Sequence, residues 1–271
     1  MQGNEKFLRR VASYAHKHAL WREGERILAA VSGGPDSLAL LLALKLLAVK
    51  EKINIGCCCV NHHLRAAAGK EAEFVESVCR EWNIPFILKE VDVQSAVRNG
   101  GSIETAARDF RYKALREAAR GGRYAKIAVA HHGDDQAETV LYHLFRGSGV
   151  TGLSGMKPIN GDIIRPFLCV SKNEIKDFLK DFSYVPCHDE SNDVEDAVRN
   201  RIRLSLVPEL ISYNPRVTES LRRTADIFRE EDLFMEEKAD VFISSCVEHD
   251  NDKCVFFIAY FLELHIAYNA E

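Results

Sequence analysis

The hexapeptide Ser32-Gly33-Gly34-Pro35-Asp36-Ser37 follows five apolar residues, Ile27 to Val31, and precedes an apolar stretch from Leu38 to Val49. The first run suits a strand buried in a parallel sheet and the second a helix. Gly33 and Gly34 permit a tight turn and a close approach of ligand to backbone, while Pro35 is pre-set for a first helical turn. The free amides and positive dipole end of that helix then face the loop, which makes a cradle for phosphate. No Gly-Lys-Ser/Thr closes it as in the common nucleotide loop. Asp36 puts a negative charge where phosphate should sit, which is sensible when a metal cation lies between them. The competing reading is an ordinary strand-turn-helix corner capped by Ser or Asp.

A second constellation is His131-His132-Gly133-Asp134-Asp135-Gln136-Ala137-Glu138-Thr139. Asp134 and Glu138 are four apart and Asp135 and Glu138 three apart, so either pair can share a helix face. Such a cluster could hold a metal or recognise a substrate amine. Acidic residues in a first helical turn also simply favour the dipole. Arg108, Arg111 and Tyr112 fall on one face of a further helix that Ser102 is suited to cap. Arg199, Arg201 and Arg203 sit at alternate positions and fan over a wide sector, a pattern that suits phosphate contacts better than a core.

Strands alternating with helices must position these groups. A helix over about 4–20 precedes the first strand. Further strands are expected at 53–60, 85–91 and 125–130, with helices at 71–82, 102–120 and 134–146. The order makes an α/β fold, with an open, mostly parallel sheet flanked by helices, the economical solution. Loops 32–37, 61–65 and 131–135 all leave carboxyl ends of strands, where such sheets bind ligands. The segment 147–155 carries four glycines and reads as a loop without regular structure. A helical extension follows, with a polar break at 187–193 and a long helix from Pro215 to about Ser245.

The chain has 271 residues, 46% hydrophobic and 28% charged, as in a globular protein. No apolar run approaches the roughly 20 residues of a membrane span, and the charged amphipathic N-terminus lacks a signal core. A cytoplasmic location is the expectation, with no membrane partner. Residues 230–271 hold 2 basic and 11 acidic groups, whereas residues 1–229 hold 34 basic and 29 acidic. A mildly basic body is compatible with a nucleic-acid partner. The eight cysteines include the consecutive Cys57, Cys58 and Cys59 but no Cys-x-x-Cys pair, so buried filler is expected rather than a metal site or disulfides.

Taken in order, the motifs converge. Ser32–Ser37, Asn61-His-His-Leu-Arg65, Glu104-x-x-x-Arg108-x-x-Arg111-Tyr112, His131 to Thr139, Arg146-Gly-Ser-Gly149, Gly152-Leu-x-Gly-Met156, Arg165-Pro166, Asp189-x-Ser-Asn192 and Arg199-Asn-Arg-Ile-Arg203 closely resemble those of bacterial tRNA(Ile)-lysidine synthetases. These are carbon–nitrogen ligases of the PP-loop ATP pyrophosphatase superfamily, whose fold is adenine nucleotide alpha-hydrolase-like. The resemblance covers residues 24 to about 215. It implies a catalytic domain over 1–215, then a connecting helix and the incomplete start of a small tRNA-binding domain over 216–271.

The resemblance further implies activation of the wobble cytidine of a CAU-anticodon tRNA(Ile) by ATP at C2. Free L-lysine then attacks C2, forming lysidine and releasing AMP. On this reading Ser32, Gly33, Gly34, Pro35, Asp36 and Ser37 bind ATP, and Asp36 holds a transient Mg²⁺. Arg108, His131 and His132 are the further catalytic candidates. Asp135 and Glu138 bind the lysine amines and Arg201 the lysine carboxylate, while Arg65, Arg199 and Arg203 contact tRNA. A homodimer is compatible with it. The alternatives are a tRNA cytidine thiolase of the same superfamily, against which the missing paired cysteines count, and a non-catalytic adenine-nucleotide-binding module, for which the acidic cluster has no use.

Overall fold

The computed structural model describes residues 2–61, 68–91, 103–187, 197–250 and 253–256. Helix α1 (Gln2–Lys17) leads into β1 (Arg26–Ala30), α2 (Pro35–Glu51), β2 (Asn54–Asn61), α3 (Ala68–Glu81) and β3 (Phe86–Glu90). Then come α4 (Ile103–Gly121), β4 (Lys126–Ala128), α5 (Gly133–Phe145), a one-turn α6 (Val150–Leu153) and a hairpin of β5 (Ile159–Asn160) and β6 (Ile163–Ile164). A 3₁₀ turn at Pro166–Cys169 and α7 (Lys172–Leu179) complete the body. Beyond it lie α8 (Ala197–Arg201), a π-type turn (Ile202–Leu206), α9 (Val207–Tyr213), α10 (Val217–Cys246) and a hairpin of β7 (Val247–Asp250) and β8 (Lys253–Phe256).

Six strands form one sheet in the order β3-β2-β1-β4-β6-β5, parallel throughout except for β5, which runs antiparallel to β6. The expected mostly parallel sheet is therefore found, with an antiparallel edge added. Strand order reverses beside β1: the chain steps outward to β2 and β3, then returns to β4 on the other side. Such a reversal opens a crevice at the carboxyl ends of the two strands that flank it. The loops that leave β1 and β4 border this crevice, and they carry Ser32–Ser37 and His131–Asp135.

Side chains alternate between the faces of the sheet. Ile27, Ala29 and Cys57 join the larger core with α1, α2, α3, the 3₁₀ turn and α7. Leu28, Cys58, Ile127 and Ile163 join the smaller core under α4. Helix α2 is apolar all round from Leu38 to Leu44 because that stretch is covered all round: Leu38, Leu40, Leu41, Leu42 and Leu44 have no exposed surface. Each such burial contributes about 1.5–3 kcal/mol. The sheet thus holds its carboxyl edge on a rigid, two-sided core.

Two features depart from the sequence expectation. The glycine-rich segment is not wholly irregular, since Val150–Leu153 form a helical turn. Tertiary contacts impose it: Thr151 Oγ1 donates to Asp232 Oδ1 on α10 at 2.6 Å, and Ser154 Oγ donates to the Thr151 carbonyl at 2.6 Å. The β5–β6 hairpin was not expected, because strands of two residues carry no readable period. Its signal was local: Gly161, at φ +61, is the first residue of a two-residue connection, a position that needs glycine.

The boundary expected at 215/216 falls just before α10. The first half of α10 packs on the body, with Ala225, Arg229 and Asp232 buried. Arg229 Nη2 donates to the carbonyls of Ser154 at 2.9 Å and Met156 at 3.2 Å. Gln136 Nε2 reaches the same two carbonyls, and its Oε1 accepts from Met156 N at 2.7 Å. Gly155 sits inside this clasp at φ +63, and a Cβ there would meet the Gln136 amide at 2.8 Å. Gly155→Ala should therefore cost about 1–3 kcal/mol, read as a lower denaturant midpoint at unchanged slope.

Candidate active site

The loop after β1 is shaped by its two serines. Ser37 Oγ accepts from Ser32 N at 3.1 Å and donates to the Gly34 carbonyl at 3.0 Å. Gly33 stands at φ +88, a conformation that side chains resist. Helix α2 begins at Pro35, three residues earlier than expected, with Gly34 as its N-cap and no side-chain cap. The corner is thus not one capped by Ser or Asp. The amides of the first turn stay available to an anion. Asp36 lies in that turn, half-buried, and its Oδ1 is buried without a hydrogen-bond partner among the described residues.

The loop after β4 enters α5 through His132. The His132 amide donates to Asp135 Oδ2 at 2.9 Å, while His132 Nδ1 accepts from the Asp135 amide at 3.4 Å. This is a capping box in which a histidine replaces the usual hydroxyl residue. The ring's other nitrogen, Nε2, lies 3.8 Å from Asp36 Oδ2 and 3.5 Å from Asp135 Oδ2. His132 is 4% exposed, so it joins the two loops from within. Gly133 is required at this entry, because a Cβ would meet both the Val170 carbonyl and Arg222 Nη1 at 2.9 Å.

The three carboxylates of the cluster separate by role. Asp134 Oδ2 accepts from the Lys172 amide at 2.7 Å and so supports the start of α7. Asp135 splits its duties: Oδ2 caps α5 and Oδ1 faces Arg203 Nη2 at 3.4 Å. Glu138 is 8% exposed and accepts from Arg203 Nε at 2.8 Å and Nη2 at 2.9 Å. Of the three alternate arginines, then, only Arg203 enters this pocket, and it comes from the π-type turn. Arg201 is exposed, and Arg199 lies over the Tyr142 ring at 5.4 Å. Arg108 and Arg111 flank the ring of Tyr112 at 5.6 and 5.8 Å. Arg65 and the 189–192 motif lie outside the described residues.

Comparison with known proteins gives the family. A family described as the PP-loop domain matches residues 4–210. The tRNA(Ile)-lysidine synthase of Caldanaerobacter subterraneus is 39% identical over 246 residues, 89% of this chain and 52% of the relative. That of Petrotoga mobilis is 36% identical over 231 residues, 83% of this chain and 74% of the relative. The chain belongs to the tRNA(Ile)-lysidine synthases of the PP-loop family. It spans about half the length of several relatives that it matches. The fold is also that of the U34-tRNA thiolase NcsA from Methanococcus maripaludis, at a TM-score of 0.67 and 17% identity over 83% of this chain and 80% of that one.

Five cysteines of this lysidine-synthase chain are buried filler, whereas Cys187 is half-buried. Cys57, Cys58, Cys59, Cys79 and Cys169 are buried free thiols, and burial pushes Cys58, Cys59 and Cys169 up to about 12. Thiols so protonated are poor nucleophiles and ligands. Among the described residues, no group of three or more His, Cys, Asp or Glu side chains could hold a metal, and no helix is long and apolar enough to cross a membrane.

Burial also sets the charges at the active edge. It raises the carboxyl of Asp36, with His132 and Lys172 opposing, and that of Glu138, with Arg203 opposing. It lowers His131 to about 4, helped by Arg165, Arg108 and Arg111 against Asp135. His131 is therefore a neutral imidazole at pH 7. Its Nδ1 is buried and without a partner among the described residues. Sequence reasoning left Arg165 as part of a motif without a role, although it is buried beside this edge, 6% exposed.

A depressed histidine favours the unfolded state in acid. Between about pH 6.5 and pH 4 the unfolded chain binds a proton that the fold excludes, so this contribution is whole above 6.5 and lost on the way to 4. The raised carboxyls of Asp36 and Glu138 act in the opposite sense, so a comparison of variants is needed to isolate it. The stability of wild type relative to His131→Gln should shrink steadily as pH falls through that window, as measured by urea unfolding. A pH-independent difference would contradict the assignment.

Proposed function

We propose that this chain carries the chemistry of lysidine formation on tRNA(Ile) with a CAU anticodon. One observation supports the reading above others: a half-buried carboxylate, Asp36, whose Oδ1 has no partner among the described residues, and a buried acidic pair, Asp135 and Glu138, are joined through His132 at one end of a sheet. A phosphate loop alone would serve any adenylating enzyme. An acidic pocket beside it suits a cationic second substrate, and free lysine has that charge. Residues 1–215 carry this chemistry on the reading, and 216–271 lead toward the tRNA-binding part.

In the first step the C2 oxygen of cytidine attacks the α-phosphorus of ATP and pyrophosphate leaves. The unsatisfied amides of α2 take negative charge on the phosphates. The orphaned Oδ1 of Asp36 fits Mg²⁺, which takes one or two carboxylates and completes its shell with phosphate oxygens and water. Bound there, Mg²⁺ would neutralise charge developing on the phosphoryl oxygens. On this reading Arg108, whose charge bears on His131, acts on the phosphates or the activated base. His131, neutral, can donate or accept a hydrogen bond without adding charge.

In the second step the lysine ε-amine attacks C2, loses a proton, and AMP departs with the oxygen. Glu138 and the Oδ1 of Asp135 are the acceptors for the lysine ammonium groups. Arg203 now holds that place, so its guanidinium stands in for the substrate cation. Lysine entry then exchanges one cation for another, and the displaced Arg203, nearer than the expected Arg201, becomes the partner for the lysine carboxylate. Arg65 and Arg199 remain candidates for tRNA phosphates.

Two substitutions separate the steps. Asp36→Asn should slow adenylation, read as AMP and pyrophosphate release, by more than about 100-fold, because several kcal/mol of charge stabilisation is lost. Its melting temperature should hold or rise, since a half-buried carboxylate with an unpartnered Oδ1 is replaced by a neutral side chain. Glu138→Gln should leave adenylation standing and raise the lysine requirement by roughly 100-fold or more, the equivalent of about 3–5 kcal/mol for a buried charge without its partner. Lysine-independent AMP release should persist in that variant. A wild-type lysine requirement would place the pocket elsewhere.

A further inference from the structure

Beside α4, over the β5–β6 edge of the sheet, lies a cleft of about 650 Å³. Arg108, Lys113, Arg116, Arg120 and Arg165 line it around Tyr112, against two acids, Asp109 and Glu117. Arg116 is paired with Asp162 at 3.1 Å, whereas Lys113 and Arg120 have no ion-pair partner among the described residues. Three guanidiniums, those of Arg108, Arg111 and Arg116, lie within 6.0 Å of the Tyr112 ring centre. Arg165 is 6% exposed, and its Nε is buried without a hydrogen-bond partner among the described residues, although Nη1 donates to the Lys157 carbonyl at 2.8 Å. Gathering like charges and burying one of them incompletely satisfied is costly for a structural surface. A polyanion would offset that cost.

The shape of the cleft selects the polyanion. Helix α4 runs antiparallel to the strands, so Arg108 and Arg165 stand at the catalytic edge and Arg120 at the far end. From Arg108 to Arg120 the helix rises about 18 Å. A single phosphate or pyrophosphate needs one focus of charge, whereas this is a track with an aromatic ring part-way along it. Positive grooves that interleave arginine with aromatic faces are how proteins hold single-stranded nucleic acid. The track also meets the active edge, where Arg108 and Arg165 are close enough to His131 to bias its protonation.

We infer that the α4 cleft holds backbone phosphates of the single-stranded anticodon loop next to the reacting base. The inference rests on the functional reading above, and it adds Lys113, Arg116, Arg120 and Arg165 to the RNA-contacting surface. Arg165, at the inner end, orders the phosphate nearest the base, and Lys113 and Arg120 hold the strand farther out. These outer residues supply affinity without touching the reacting atoms.

The test is binding of a CAU-anticodon tRNA(Ile) transcript by fluorescence anisotropy over a range of KCl, for wild type and for Lys113→Gln/Arg120→Gln. Both positions are exposed, so the variant should fold; Lys113→Glu/Arg120→Glu is the stronger version. The expected result is a roughly tenfold weaker affinity and a shallower log–log salt dependence, by about 0.7 for each phosphate that is no longer neutralised. ATP affinity and the AMP-forming rate at saturating tRNA should not change. Wild-type affinity and slope in both variants would overturn the cleft. Weaker pyrophosphate or ATP binding with tRNA binding intact would overturn it too, in favour of a small-anion site. A wild type that makes no lysidine, yet loses RNA affinity on substitution, would sink the functional reading and leave the cleft standing.

Discussion

The parallel pairing of β1 with β4 brings together two loops that are far apart in sequence. Its register sets Ala29 opposite Ala128, so the chain leaves both strands at the same level. The loop after β1 then begins beside the histidine pair, and two helix N-termini, those of α2 and α5, converge on one crevice. Both ends carry partial positive charge. Asp36 and Asp135 can be held close together there because each is in the first turn of a helix, and because His132 lies between them. Without this pairing, neither motif has a partner.

The active edge is built against stability. Asp36 Oδ1, His131 Nδ1 and Arg165 Nε are all buried without hydrogen-bond partners among the described residues. Each unsatisfied polar group costs about 1–3 kcal/mol, more when it is charged. Such a group persists only where the surrounding structure fixes its place. The apolar cores on both faces of the sheet do so, and α10 adds a third support by clasping Ser154 and Met156 through Arg229. Glu138 shows the contrasting arrangement. Its charge is buried but matched by Arg203, because a bare carboxylate at that depth would take up a proton and lose its use.

The fold and the shape of the loop after β1 were legible in the sequence, because each rests on local chemistry. Buried strands read as apolar runs, the loop as glycines ahead of a helix, and Cys57 to Cys59 as a strand that feeds two cores. The roles within the acidic cluster were not legible. Asp134 and Asp135 are adjacent and alike, and what separates them is the distant amide of Lys172, which takes Asp134. The hairpin at the sheet edge escaped because periodicity needs more than two residues.

The arginines show why the same limit recurs in helices. Residues two apart point in widely different directions, so Arg199, Arg201 and Arg203 cannot share a task, yet nothing local says which one turns inward. The change from α-helix to a π-type turn at Ile202 alters the phase at that point, and such turns cluster at functional sites. Ile202 is 3% exposed and anchors the turn, which leaves Arg203 facing Glu138 from across the pocket. An irregular turn therefore decides which arginine meets the acid.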